Sequence, residues 1–335
     1  MNNNVLLIMP DFFSTKIDIV SALEHNGFNV VSYSDRPAKS NFIKAIIRVN
    51  RHLVSFLTKN YVKRIVKENK EKQFYRIVII NGQSFTTKHI KYLLNNISHD
   101  KSVFYMWDAL SFLPYSERLI SLFDYSTTFN IHDYKSKKFD FFLPLYIANE
   151  YNKPLIDNEY KWDLSFVGTG KPEKIEFLKS AIKYCKDNNL NALFHIYLPS
   201  KLMFVYNKLF KKEYKGLKKD FFKFNKLSHE EIKDIYSQSR CILDSGNENE
   251  GGLPLRVFEI LGLNKKLILI NKSVENYTFY RKEQFLICGN EFKIDDNFLK
   301  SSIQPNENIE LYRINNWVRL LIDPQTIKLE NIIRN

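Results

Sequence analysis

The sequence predicts an α/β chain built from two successive doubly wound halves that face a cleft. Strand-like and helix-like stretches alternate over the first 150 residues, and the alternation restarts at residue 163 after a polar, aperiodic stretch. Only ten glycines occur, and five of them fall in two loops, FVGTGK and SGNENEGGLP. Each of those loops follows an expected strand and precedes an expected helix. A total of 335 residues is long for one ordinary domain and comfortable for two.

In order, NVLLIMP (4–10) reads as a strand, and STKIDIVSALEHNGF (14–28) as a helix with Ser14 or Thr15 as N-cap and Gly27 as its stop. NVVSYS (29–34) is a second strand. Apolar positions at helical spacing predict one long helix, or two, over 41–70. Strands follow at 75–81, 102–108, 125–130 and 140–147, with helices at TKHIKYLLNN and YSERLISLF between them. Apolar strands separated by helices imply a parallel sheet covered on both faces. Residues 1–150 are therefore expected to form an N-terminal domain and 151–162 a linker.

The second half repeats the plan over 163–310. Strands are expected at DLSFVGTG (163–170), ALFHIYLP, RCILDSG, 266–271 and 284–289, and helices at EKIEFLKSAIKYCKDN, 201–216, HEEIKDIYSQS and 254–262. Ser228 with Glu231 three residues on has capping-box spacing. Residues 311–335 read as a helical tail that packs back toward the first domain.

Composition narrows the class. No run of 18 apolar residues is present, the opening MNNNVLLIMPDFF lacks a basic leader, and Cys185, Cys241 and Cys288 have neither disulfide-framework nor metal spacing. These features are expected of a chain in a reducing cytoplasm. The net charge of +13 is concentrated in two windows. Nine Lys/Arg against two Glu give +7 over 44–72, and nine Lys against Glu213 and Asp220 give +7 over 201–226. Both windows are interleaved with large apolar side chains. That combination fits an anionic membrane surface, a nucleic acid, or simply solvated helical faces. No zinc-finger spacing, RNP-like string or helix-turn-helix accompanies them, so the expected partner is the inner membrane surface and not nucleic acid.

The two glycine loops give the ligand chemistry. Glycine lets the backbone approach a ligand, and a helix N-terminus supplies free N–H groups with a positive dipole end. Gly168, Gly170 and Lys171, with Lys174 beyond, are expected at a diphosphate. Pro254 is expected as the first residue of the next helix. That segment, PLRVFEILG, is apolar except for Arg256 and Glu259, three positions apart and so on one face. A carboxylate in such a helix needs a partner or a cleft. Either Arg256 and Glu259 pair with each other, or Glu259 accepts hydrogen bonds from hydroxyls of a nucleotide sugar while Arg256 stands near the phosphates.

The stretch LSHEEIKDIYSQSRCILDSGNENEGGLPLRVFEILGLNKKLILIN (227–271) resembles the donor-site signature of GT-B glycosyltransferases of the retaining group 1 (family 4-like) type, most of all the branch reading R-x-F-E-x-L-G. DLSFVG (163–168) is similar to the strand and loop that open the same half. The resemblance covers about 110 residues and implies two Rossmann-like domains with the nucleotide sugar held by the second. It implies that Glu259 contacts the donor ribose, and that Glu250, Gly251 and Gly252 face sugar and phosphates, with Leu253 beside them. The family's pattern has two glutamates separated by seven residues. Here Glu250 leaves eight before Glu259 and Glu248 leaves ten, so the first role falls to either.

Glycosyl transfer needs positioning and stabilisation of the departing diphosphate, which basic groups and helix N-termini supply. No Asp-x-Asp string follows a strand, so neither a metal nor another cofactor is expected. Retention is the expected outcome; an inverting enzyme would need a base in the first half. Asp108, Asp11 and His132 all sit at expected carboxyl ends of strands and are the candidates. Asn81, Gln83 and Ser84 are candidates for the acceptor pocket. The resemblance puts the acceptor in the N-terminal half, where the basic window 44–72 would suit a polyprenyl-linked or lipid A-core saccharide of surface polysaccharide synthesis. An epimerase on the same scaffold and a non-catalytic nucleic-acid- or sugar-binding module are the competing readings.

Overall fold

The computed structural model describes residues 2–12, 15–38, 40, 46–47, 50–152, 160–246, 251–289 and 292–334. Glu248, Glu250, Ser14 and most of the expected linker lie outside these residues. The first half runs β1 (Asn4–Met9), α1 (Thr15–His25), β2 (Asn29–Ser34), α2 (Ser55–Asn69), β3 (Gln73–Ile80), α3 (Thr87–Asn96), β4 (Ser98–Met106), α4 (Glu117–Ile120), β5 (Tyr125–Thr128), α5 (Ile131–Lys135) and β6 (Phe141–Phe142). Its strands form a six-stranded sheet in the order β2-β1-β3-β4-β5-β6. All pairings are parallel; Val5, for example, stands between Val30 and Arg76.

The second half runs β7 (Trp162–Thr169), α6 (Pro172–Asp187), β8 (Ala192–Tyr197), α7 (Lys201–Phe210), α8 (His229–Ser237), β9 (Ser239–Asp244), α9 (Leu255–Gly262), β10 (Lys266–Leu269), β11 (Phe285–Ile287), α10 (Asp296–Lys300) and α11 (Ile314–Ile322). Its parallel sheet has the order β11-β10-β9-β7-β8. The strand order reverses between β1 and β3 in one sheet and between β7 and β9 in the other. Crevices outside such reversals are where ligands bind in open parallel sheets. Ser228 caps α8, and the reciprocal capping box with Glu231 forms.

Several expected elements are shorter. The strand expected over 140–147 pairs only at Phe141–Phe142, because Pro144 cannot donate to a ladder and β6 is an edge. The chain then leaves the sheet and carries Leu145, Tyr146 and Ile147 into an apolar core. The basic helix expected over 201–216 ends at Phe210, since Lys211 is extended, and a short 3-10 turn follows at Lys212–Tyr214. Pro254 is extended and precedes α9 as its N-cap, so the helix starts at Leu255.

One apolar core runs through both halves. It includes Leu7, Tyr105 and Tyr146 from the first half, Val257 and Phe258 of α9, and Tyr312 and Trp317 near the C-terminus. Helix α11 packs on α1 of the first half. Its Trp317 is fully buried against Tyr105, Trp107 and Tyr146, and its indole Nε1 donates to the Pro144 carbonyl at 2.7 Å. Arg76, nearly buried in β3, pairs with Asp323, donates to the Ile322 carbonyl at 3.0 Å and stacks over Tyr75. The C-terminal segment thereby fastens the two halves together. Trp317→Ala should cost about 3–5 kcal/mol of unfolding free energy, read by urea denaturation, because it leaves a cavity at this seam and orphans the Pro144 carbonyl.

Candidate functional site

Three adjoining cavities follow the cleft. The first, of about 830 Å³, lies on the second half, lined among others by Gly168, Thr169, Lys174, Asp244, Arg256 and Glu259. The second, of about 340 Å³, lies between the halves, with Trp107, Asp108, Tyr146, Glu150 and Glu259 on its walls. The third, of about 820 Å³, lies mainly against the first half and has Arg51, Gln83, Asp108 and Tyr115 on one side and Lys171 on the other. Tyr151, His229, Pro254, Leu255 and Glu259 are common to the first two; Asp108 and Phe112 are common to the last two. Glu259 and Asp108 thus stand at the two junctions of one trough.

Glu259 and Arg256 do not pair. The Arg256 guanidinium donates to Asp244 Oδ1 at 2.9 Å, to the Tyr236 hydroxyl at 3.0 Å and to the Val167 carbonyl. It therefore bridges the carboxyl ends of β7 and β9, across the point where the strand order reverses. Arg256 is engaged by the protein at all three of its nitrogens. Glu259, one helical turn on, makes no hydrogen bond or ion pair among the described residues. Burial pushes its carboxyl up to about 7 from an ordinary 4.5; Arg256 works against that shift, while Glu150 and Asp244 add to it. The side chain is half-buried and faces two cavities.

The N-terminus of α9 opens on the same place. Pro254, the N-cap, makes no side-chain hydrogen bond to the first turn of α9, and Pro254 and Leu255 both line the trough. Lys174 and Lys226 stand on the same cavity. Lys171 opens into the cavity of the first half, so the two lysines after the first glycine loop serve different compartments. Gly168 lines the cavity on the second half, whereas Gly170 packs against Phe222 and Ile196 and accepts a hydrogen bond from the Tyr214 hydroxyl.

Gly251 and Gly252 sit against the other half. A Cβ at 251 would overlap Asn130 Oδ1 and the His132 ring, and one at 252 would overlap the Phe129 ring. The Gly251 carbonyl accepts from the Ile131 N–H at 3.0 Å across the cleft. Their smallness is required by this inter-domain approach. Leu253 is buried in the shared core and lines none of the three cavities.

Of the candidates in the first half, Asp108 is exposed in the trough. Asn81, in a left-handed conformation at φ 62°, donates to Asp108 Oδ2 at 2.8 Å and accepts from the backbone of Trp107. Asp11 is exposed and pairs with Lys16 at 3.1 Å, and His132 lies beside Gly251; neither lines the three cavities. Gln83 lines the cavity of the first half, but Ser84 is fully buried and donates to the Asp35 carbonyl. Sequence reasoning missed Glu150 and His229, 3.8 Å apart, and Tyr151 and Asp244. Among the described residues no group of three or more His, Cys, Asp or Glu is placed to hold a metal ion.

The fold is that of GT-B proteins: two parallel-sheet α/β domains around a cleft. No family model matches the chain, and no curated protein does. Solved structures do. The apo form of the lipopolysaccharide outer core galactosyltransferase WaaB is 12% identical, with a TM-score of 0.55, over 96% of this chain and 99% of that one. A glycosyltransferase from Rickettsia africae ESF-5 is 13% identical, with a TM-score of 0.58, over 97% of each chain. A protein described as a UDP-N-acetylglucosamine 2-epimerase, from Listeria monocytogenes, is 8% identical, with a TM-score of 0.54, over 97% of each chain.

The raised Glu259 carboxyl fixes a pH dependence. Below about 4.5 the folded and unfolded states both hold the proton and nothing is lost. As pH rises from 4.5 to about 7 the unfolded chain releases it first, so stability falls, and above 7 the loss is complete. Glu259→Gln should therefore match the parent at pH 4 and exceed it above pH 7 by on the order of 1–3 kcal/mol, measured by denaturation across that range.

Proposed function

We propose that this protein is a glycosyltransferase that moves a sugar from a nucleotide-diphosphate sugar to a saccharide acceptor, of the retaining group 1 kind and without a metal. The observation that carries the reading is Glu259, a half-buried carboxylate that does not pair with Arg256, at the junction of two cavities on which the N-terminus of its own helix also opens. Ribose or sugar hydroxyls donate to that carboxylate, and the α9 N-terminus with Lys174 and Lys226 receives the diphosphate. Arg256 acts by holding β7 and β9 in register at the floor of the donor cavity. Asp108, positioned by Asn81, lines both the cavity between the halves and the cavity of the first half, where it orients the acceptor hydroxyl.

A cavity of about 820 Å³ on the far side of Asp108 favours transfer over epimerisation, which acts on the donor alone. Incubation with donor alone, followed by product analysis, separates the two: a new nucleotide-sugar epimer means an epimerase. In a thermal-shift screen of UDP, GDP, TDP, CMP and ADP with their sugars, one nucleotide should raise Tm saturably. Glu259→Gln should remove most of that response while remaining folded. A full response in the variant would sink the reading.

The acceptor we propose is lipid-borne, a polyprenyl-linked or core saccharide of bacterial surface polysaccharide or lipopolysaccharide, met at the inner face of the plasma membrane. No helix of the described residues is long and apolar enough to cross a membrane. Helix α7 instead offers an interfacial face. Leu202, Val205, Tyr206 and Leu209 lie at helical spacing and are 81%, 51%, 56% and 70% exposed, while Phe204 and Asn207 anchor the opposite side. Exposed lysines 201, 208, 211 and 212 flank them. Near an anionic surface each is worth on the order of 1 kcal/mol. Vesicles containing phosphatidylglycerol should sediment the protein in a salt-sensitive way, and Leu202→Glu with Leu209→Glu should reduce the bound fraction at least tenfold.

A further inference from the structure

Arg51 is a buried cation without a carboxylate. It is 7% exposed, donates to the Phe85 carbonyl at 3.1 Å, and lies 4.1 Å over the Tyr115 ring. No ion pair involves it among the described residues. Burial draws its guanidinium down to about 10. The acid whose charge reaches it, Asp35, forms no ion pair with it and is engaged elsewhere: Arg36 stands 3.6 Å from Asp35 Oδ1, and the Gln83 N–H donates to Oδ2 at 3.1 Å. Other basic groups gather around Arg51. His52 meets the same Tyr115 ring edge-on, Arg118 lies 5.3 Å from it, and Lys171 closes the cavity from the second half. Among the described residues Asp108 is the only acid on those walls, at the opposite junction.

A guanidinium removed from water without a counter-charge is costly, and a cavity of about 820 Å³ beside it leaves room for the missing anion. We infer that Arg51, with His52 and Lys171, forms an anion subsite for a phosphate or diphosphate group carried by the acceptor. The planar fork of Arg51 matches two phosphate oxygens, and Lys171 supplies a point charge from across the cleft. The Tyr115 ring holds the guanidinium plane in place from the other face. The subsite is separate from the diphosphate position proposed on the second half. The inference rests on the transferase reading only in calling the anion's carrier the acceptor.

The test uses the full chain and inorganic pyrophosphate, followed by thermal shift and calorimetry. The parent should bind saturably, and saturating nucleotide should leave that response in place. Arg51→Gln should raise the ligand-free Tm, since it removes an uncompensated buried charge, yet weaken pyrophosphate about ten- to hundredfold. Lys171→Gln, at an exposed position, should weaken it several-fold with the ligand-free Tm unchanged. Geranyl diphosphate binding better than pyrophosphate identifies a lipid carrier, and equal binding a water-soluble phosphorylated acceptor. Absence of pyrophosphate binding, equal binding by both variants, or loss of the response when nucleotide saturates the other cavity overturns the inference. A nucleotide response dependent on Glu259 would survive that failure, and its absence alongside an Arg51-dependent anion response would instead remove the transferase reading.

Discussion

The bridge that Arg256 makes between β7 and β9 governs the second half. At this strand-order reversal β7 and β9 pair up to Ser165 and Ile242, and beyond that register the Val167 carbonyl and the Asp244 carboxylate lie at the strand ends. One guanidinium answers both, and the Tyr236 hydroxyl takes its remaining nitrogen. Two results follow from the same contact. The floor of the largest cavity on that half is rigid before any ligand arrives, which lowers the ordering cost of binding. And Glu259, on the same helix face, is denied the neutralising partner that its spacing from Arg256 offered.

The trough divides into compartments of different electrostatic character. Around Glu259 charges of both signs meet: Arg256, Glu150 and Asp244 act on it, and Lys174 and Lys226 share the cavity wall. Around Arg51 the charge is positive, and the single nearby buried acid is held by Arg36. Asp108 lies between them, fixed by an asparagine whose left-handed backbone turns its side chain toward the strand ends. A ligand with hydroxyls at one end and an anionic group at the other is complementary to this sequence of fields.

Much of the fold was legible because buried parallel strands are near-continuous apolar runs and the helices between them keep a 3.6-residue period. The errors have local causes. Pro144 ended a strand that composition alone would have extended, and Pro254 took the cap position because the preceding segment approaches the other half. Part of the site was legible as well: Glu259 was conspicuous as a charge in an apolar helix, and Asp108 as an acid directly after a strand. Its actual surroundings were not. The partners of Arg256 lie 12, 20 and 89 positions away in sequence. Short-range spacing pointed to Glu259 and carried no trace of them. Glu150 and His229 were invisible for the same reason, since each sits in a segment whose pattern is that of an ordinary turn or cap.

The close seating of Gly251 and Gly252 on Asn130, His132 and Phe129 makes the cleft a latch as well as a trough. Three chain segments hold the halves together from behind, through the 143–151 crossing, α11 and the Arg76–Asp323 pair, so any widening at the front must swing about that rear seam. The Ile131 amide and the Gly251 carbonyl join the halves at that front edge through a hydrogen bond. A methyl group at either glycine acts as a doorstop, holding the jaws ajar while leaving every ligand-facing side chain intact.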